Sequence, residues 1–153
     1  MWQLTLGTAS ACLLLFVQST EIVTKHGQWK TECRLDELTH RRECSVALLL
    51  DNNGSEVVFS YHLSRKAFVS YGIAGAAGLR VQVDSGKRYE TYLCSSLACI
   101  LRGNSADELL ERMRTGSRIS IELNGPGQPF FIGHISLYDF EAMYRRERKE
   151  HDN

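Results

Sequence analysis

Cys94 and Cys99 stand five positions apart, and Cys33 and Cys44 eleven apart. Thiols at such spacings can form a redox pair, hold a metal or be joined as a structural staple. A thioredoxin-type centre needs two residues between its thiols, so that a helix start lowers the pKa of the first while the second waits within reach. Cys94 and Cys99 have four residues between them. Zinc sites bring their ligands in closely spaced knuckles. Cys33 and Cys44 are not so spaced, and the nearby His40 reads as a surface histidine in a charged loop. Of the three pairings that four cysteines allow, Cys33 with Cys44 and Cys94 with Cys99 follows if each bridge staples a neighbouring strand pair.

The staple reading depends on compartment. The opening MWQLTLGTASACLLLFVQSTE carries no charged side chain before Glu21, and Leu13 to Val17 is an unbroken apolar run. It is too short to span a membrane and fits a signal peptide over residues 1–20, with Val17 and Ser19 at peptidase spacing. No Lys or Arg precedes the apolar run, which is unusual for such a leader. Cleavage would remove Cys12 and leave Cys33, Cys44, Cys94 and Cys99 of the five cysteines in the chain. An even number in an exported chain reads as a disulfide framework. The expected location is the periplasm or the outer surface, with no transmembrane span in the mature form.

Other chemistry finds little footing. Ser85-Gly86-Lys87 lacks the upstream glycine and the following Ser or Thr of a phosphate loop, and reads as a hairpin turn. The chain contains no G-x-S-x-G elbow and no H-E-x-x-H pair. The five histidines are scattered, and His62 and His134 fall on the less apolar faces of their strands. Asn53-Gly54-Ser55 fits a glycosylation acceptor. Eighteen basic side chains balance eighteen acidic ones, so the electrostatic footprint of a nucleic-acid binder is missing. The expectation is a non-enzymatic protein with no catalytic, cofactor-binding or metal-binding residues and no cofactor.

The remaining pattern is that of a scaffold. Leu79, Val81 and Val83 alternate with Arg80, Gln82 and Asp84, and Ile119, Ile121 and Leu123 with Ser120 and Glu122. Such period-two runs are half-buried strands. Val57 to Leu63, Cys44 to Leu50, Trp29 to Leu35, Arg88 to Cys94, Ala98 to Arg102 and Phe130 to Leu137 add six more. Asn53-Gly54, Asp84-Ser85-Gly86 and Asn124-Gly125-Pro126-Gly127 supply turns. The fold class is therefore all-β: an antiparallel sandwich or barrel of about eight short strands. One helix, about residues 105–115, interrupts it. Ser105 and Glu108 form a capping box, Ala106, Leu109, Leu110 and Met113 an apolar stripe, and Gly116 a stop. Phe140 and Tyr144 suggest a short C-terminal helix, after which residues 146–153 read as a charged tail in solvent. At 153 residues the chain forms one domain, residues 21–145.

The order of Trp29, Cys33, Cys44, Val83-Asp84-Ser85-Gly86, Cys94, Cys99, the helix ADELLERMRTG and the closing Ser136-Leu137-x-x-Phe140-x-Ala142 resembles the invasion-associated locus B family of bacterial exported proteins. The resemblance runs from Trp29 to Tyr144 and departs from the family pattern at Arg65 to Phe68 and at Ala98. It implies a periplasmic or surface-associated β domain with two disulfides from a Gram-negative bacterium, in a family linked to host-cell entry. It carries over no catalytic residue; the four cysteines, Trp29, Asp84, Gly86 and Phe140 look structural. The expected role is binding of a protein or envelope component, and Tyr61, Phe68, Tyr71 and Tyr92 are candidate contacts that also suit a core. The alternative is a small envelope enzyme or small-ligand carrier, which would gather polar side chains around His62 or His134 in one pocket.

Overall fold

Alternating side chains let each strand put its apolar residues on one face, and two such faces pressed together bury them from water. The computed structural model describes residues 21–24, 29–35, 39–52, 55–72, 74–125 and 128–152. The expected signal peptide lies outside these residues, as do Asn53-Gly54 and Pro126-Gly127. The described elements are β1 (Glu21–Thr24), β2 (Trp29–Leu35), β3 (Arg42–Asn52), β4 (Ser55–His62), β5 (Ala67–Tyr71), β6 (Gly78–Val83), β7 (Arg88–Thr91), β8 (Ala98–Arg102), α1 (Asn104–Thr115), β9 (Arg118–Gly125), β10 (Gln128–Ser136) and α2 (Phe140–His151). They form two five-stranded sheets, ordered β1-β10-β9-β6-β7 and β2-β3-β4-β5-β8. All pairings are antiparallel except β1 on β10. The result is a sandwich, and the sheets do not close into a barrel.

Leu79, Val81, Val83, Ile119, Ile121 and Leu123 from one sheet meet Val46, Leu48, Leu50, Val57, Phe59, Phe68 and Leu101 from the other in one buried cluster. Phe59 and Phe68 stack with ring centroids 5.4 Å apart, and Tyr61 tilts against Phe68 at 4.8 Å. Tyr61 and Phe68, two of the candidate contact aromatics, are thus part of the core.

Trp29 and Phe140 close one end. The Trp29 indole Nε1–H donates to the carbonyl of Ser136 at 2.9 Å, and its ring meets Phe140 edge-on at 4.9 Å. The start of the second sheet is thereby tied to the end of the first. Asp84 adopts φ +49°, and its carboxylate accepts from the backbone N–H groups of Ser117 and Arg118 at 3.2 and 3.0 Å. The β6–β7 turn thus holds the exit of α1. Gly116 is extended at φ −81°, so glycine is needed there for space: a Cβ would lie 2.3 Å from Val83 Cγ1 and 2.8 Å from the Arg112 carbonyl.

Three expectations need correction. Ser105 and Glu108 do not form a capping box: α1 begins at Asn104 behind Gly103, with no side-chain cap. Gly103 takes φ +70°, a left-handed turn that glycine tolerates and that starts the helix one residue earlier. Glu108 instead accepts from Lys87 Nζ at 2.6 Å. Second, Ala67–Tyr71, absent from the eight expected strands, is a strand between β4 and β8. Third, the charged segment after Tyr144 is not a loose tail but continues α2 to His151, with Glu147 only 3% exposed. Phe140, Tyr144 and Glu147 lie on one helical stripe, and Arg42–Glu150 and Arg146–Thr31 contacts of 2.9 and 2.6 Å hold the last turns to β2 and β3.

Candidate functional site

Both cysteine pairs are disulfides, Cys33–Cys44 and Cys94–Cys99, with Cα atoms 4.1 and 4.0 Å apart. Each joins residues directly opposite one another in an antiparallel pairing. The first pins β2 to β3 beneath α2. The second pins the crossing from β7 in one sheet to β8 in the other. Glu147 Oε2 lies 2.8 Å from Cys33 Sγ; a disulfide sulfur carries no proton, so this is a carboxylate held against polarizable sulfur. Arg146 Nε lies 3.4 Å from the other oxygen of Glu147. Cys33, Cys44 and Glu147 are the group nearest to a metal donor set among the described residues, but two sulfurs bonded to each other offer no thiolate to a cation.

The polar groups converge elsewhere, on the outer face of the β2-β3-β4-β5-β8 sheet. Cross-strand register sets them in rows: Arg34 beside Glu43; Glu32, Ser45 and His62; Ala47 and Ser60; Val58 and Tyr71. Alternation turns the neighbouring residues, Val46, Phe59 and Tyr61 among them, into the core. The rows enclose a groove of about 400 Å³ lined by Glu32, Arg34, Glu43, Ser45, Ala47, Val58, Ser60, His62 and Tyr71. Small side chains at Ser45, Ala47 and Ser60 form a shielded floor below the longer ones.

His62 organises one wall. Its Nε2 lies 3.0 Å from Ser60 Oγ and 2.9 Å from the Tyr71 hydroxyl. Ser60 also reaches the Val69 carbonyl at 3.4 Å. Burial lowers the His62 pKa from the ordinary 6.5, the Arg65 charge lowers it further, and Glu43 and Glu32 pull the other way. The imidazole is therefore neutral near pH 7. At the mouth Arg34 pairs with Glu32, and Arg65 reaches Glu43 at 3.4 Å. The charges of the groove cancel in pairs.

His134 lies in a second, broader hollow on the opposite outer face, in a row with Ser120 and Gln82. There Arg114 is held between Glu141 and Glu111 at 2.8 Å each, and Asp84 is engaged by the backbone, so several of its polar groups already serve the fold. Tyr92 is exposed, at 72%, beside Leu93 and Leu97 on the segment pinned by Cys94–Cys99.

His62 lies on the less apolar strand face that alternation predicts, but no local pattern joins it to Tyr71. Ser60 sits two residues before His62 on the same strand, a signal that period two makes legible. Tyr71 could join them only once β5 was recognised. Comparison of the chain with known protein families, curated proteins and solved structures returns no match.

Proposed function

We propose that this chain is an exported, non-enzymatic β-sandwich module, stapled by two disulfides, that acts by binding at the outer groove around His62. The observation that carries the binding site is the convergence of Ser60, His62 and Tyr71 within 3.0 Å contacts inside one groove. Concave sites with a few well-placed polar groups are where small ligands and protruding segments of partners dock. Export is supported by the paired disulfides, which persist in oxidising compartments, and by the apolar, uncharged N-terminal run. The resemblance to the invasion-associated locus B family adds a setting, the contact between a Gram-negative bacterium and a host cell. A deletion strain that enters cultured cells at wild-type frequency would remove that setting.

The test uses the full chain made with its own N-terminus in a Gram-negative host. Intact mass of the periplasmic fraction, alkylated with and without reduction, is expected to show a shortened chain whose four thiols appear only after reduction. A full-length chain with freely reactive thiols overturns export. For the groove, periplasmic extract is titrated onto the labelled protein. Broadening of the Ser60, His62 and Tyr71 amide signals, lost in Ala47→Trp, is the expected result.

A further inference from the structure

We infer that the groove takes a neutral saccharide unit, the accessible end of a glycan. This rests on the binding reading above and names its ligand class. Four features of the groove point the same way.

Its charges are spoken for. Arg34 faces Glu32 and Arg65 faces Glu43, and His62 is neutral at pH 7 because burial opposes its charge. A phosphate, carboxylate or ammonium ligand meets each charge here already faced by an opposite one, and because both pairs are exposed this disfavours it only modestly. An uncharged ligand leaves both pairs intact.

Its hydrogen-bonding groups are those that suit hydroxyls. Ser45, Ser60 and Tyr71 each donate one proton and accept through two lone pairs. The single Nε2 of His62 has two hydroxyls in bonding range, at 3.0 and 2.9 Å, and can serve only one at full strength. Ser60 has the Val69 carbonyl as an alternative acceptor. The trio therefore has capacity to spare toward the groove, and ligand hydroxyls can match it whichever way the protons turn. At the mouth, the carboxylates can accept from ligand hydroxyls while still paired, since Arg34 engages Glu32 through Oε1 and Arg65 engages Glu43 through Oε2.

Its floor is apolar where hydroxyls are absent. Ala47 and Val58, with the ring of Tyr71 at the side, offer a shallow nonpolar surface to the C–H face of a pyranose. Its volume of about 400 Å³ lies in the range of small-ligand sites and admits sugar rings but no folded partner.

The experiment titrates isotopically labelled, disulfide-intact full chain with D-glucose, D-galactose, D-mannose, N-acetylglucosamine and their β-linked disaccharides. Glucosamine, glucuronic acid and a short uncharged peptide serve as probes of other classes. At least one neutral sugar is expected to shift the amides of Ser45, Ala47, Ser60 and Tyr71 saturably, with Kd on the order of 0.1–1 mM. The charged analogues bind about tenfold more weakly or worse. Tyr71→Phe weakens sugar binding about tenfold, the scale of one lost hydrogen bond. Ala47→Leu, which raises the floor without touching a polar group, abolishes it even if Tyr71→Phe disturbs the sheet. Saturable groove shifts with the peptide or a charged sugar, and none with neutral sugars, overturn the ligand class and leave the binding reading in place. Sugar binding indifferent to both variants, or shifts spread over the surface without saturation, also overturn it. If neither these probes nor periplasmic extract shifts the groove, the binding reading fails as well.

Discussion

His62 is the groove side chain whose charge responds to mild acid. In the folded chain it faces Ser60 and Tyr71, with Arg65, Glu43, Glu32 and Arg34 around it. Burial lowers its pKa below the ordinary 6.5, and Arg65 adds to the effect. The unfolded chain, with an unperturbed imidazole, binds a proton at a pH where the folded chain resists it. Stability from this residue is therefore complete above 6.5 and falls as pH drops from there through the lower folded-state pKa. Urea midpoints compared at about pH 7.5 and about pH 5.5 should fall more in the wild type than in His62→Gln, which keeps a hydrogen-bonding side chain and takes up no proton. Equal falls in the two proteins would contradict the buried neutral imidazole. The same acidification charges the groove, so its affinity for an uncharged ligand should weaken over the same range.

Among the helices and strands, α2 is the one that local patterning describes least well. Residues after Tyr144 are nearly all charged, and charge runs ordinarily mean solvent. Glu147, however, falls on the stripe of Phe140 and Tyr144, and the surface that receives it is a disulfide sulfur from the other end of the chain. Arg42, Glu150, Thr31 and Arg146 then hold the last two turns. Ending the chain at Arg145 should lower stability by about 1 kcal/mol, or roughly 2–4 °C in melting temperature, and should make Cys33 more accessible to thiol reductants. A truncated chain that melts and reduces like the wild type would return these residues to solvent. The same distinction explains which elements were legible. β2, β6 and β9 were readable because their alternation is clean and their turns carry Asn, Asp or Gly. β5 was not, because all but its last residue are buried and it follows a turn containing Lys66 at φ +47°, where no glycine or asparagine marks the reversal. The groove inherited that gap: Ser60 and His62 are neighbours by strand period, while Tyr71 comes to them only through the pairing of β4 with β5.

The two disulfides contribute differently to the fold, although each joins directly opposed residues. Cys94–Cys99 closes a five-residue separation on the crossing between the sheets, beside the exposed Tyr92, Leu93 and Leu97. Cys33–Cys44 closes an eleven-residue separation, and Cys44 belongs to the core cluster on which α2 also packs. Loop-closure entropy alone assigns about 2 kcal/mol to the shorter bridge and about 3 kcal/mol to the longer. The longer bridge carries a further consequence. Replacing both of its cysteines by Ala leaves the buried Glu147 carboxylate over a void, with Arg146 at 3.4 Å as its partner, and both the cavity and the poorly compensated charge oppose folding. The Cys33→Ala/Cys44→Ala chain should therefore lose more than about 3 kcal/mol, and adding Glu147→Met should restore part of the loss, since a flexible apolar side chain can fill the space without a charge. The Cys94→Ala/Cys99→Ala chain should lose about 2 kcal/mol and be indifferent to Glu147→Met. Urea unfolding of the four chains reads both comparisons; a reversed order, or an equal response to Glu147→Met in both backgrounds, would mean that α2 is not docked through the Cys33–Cys44 bridge.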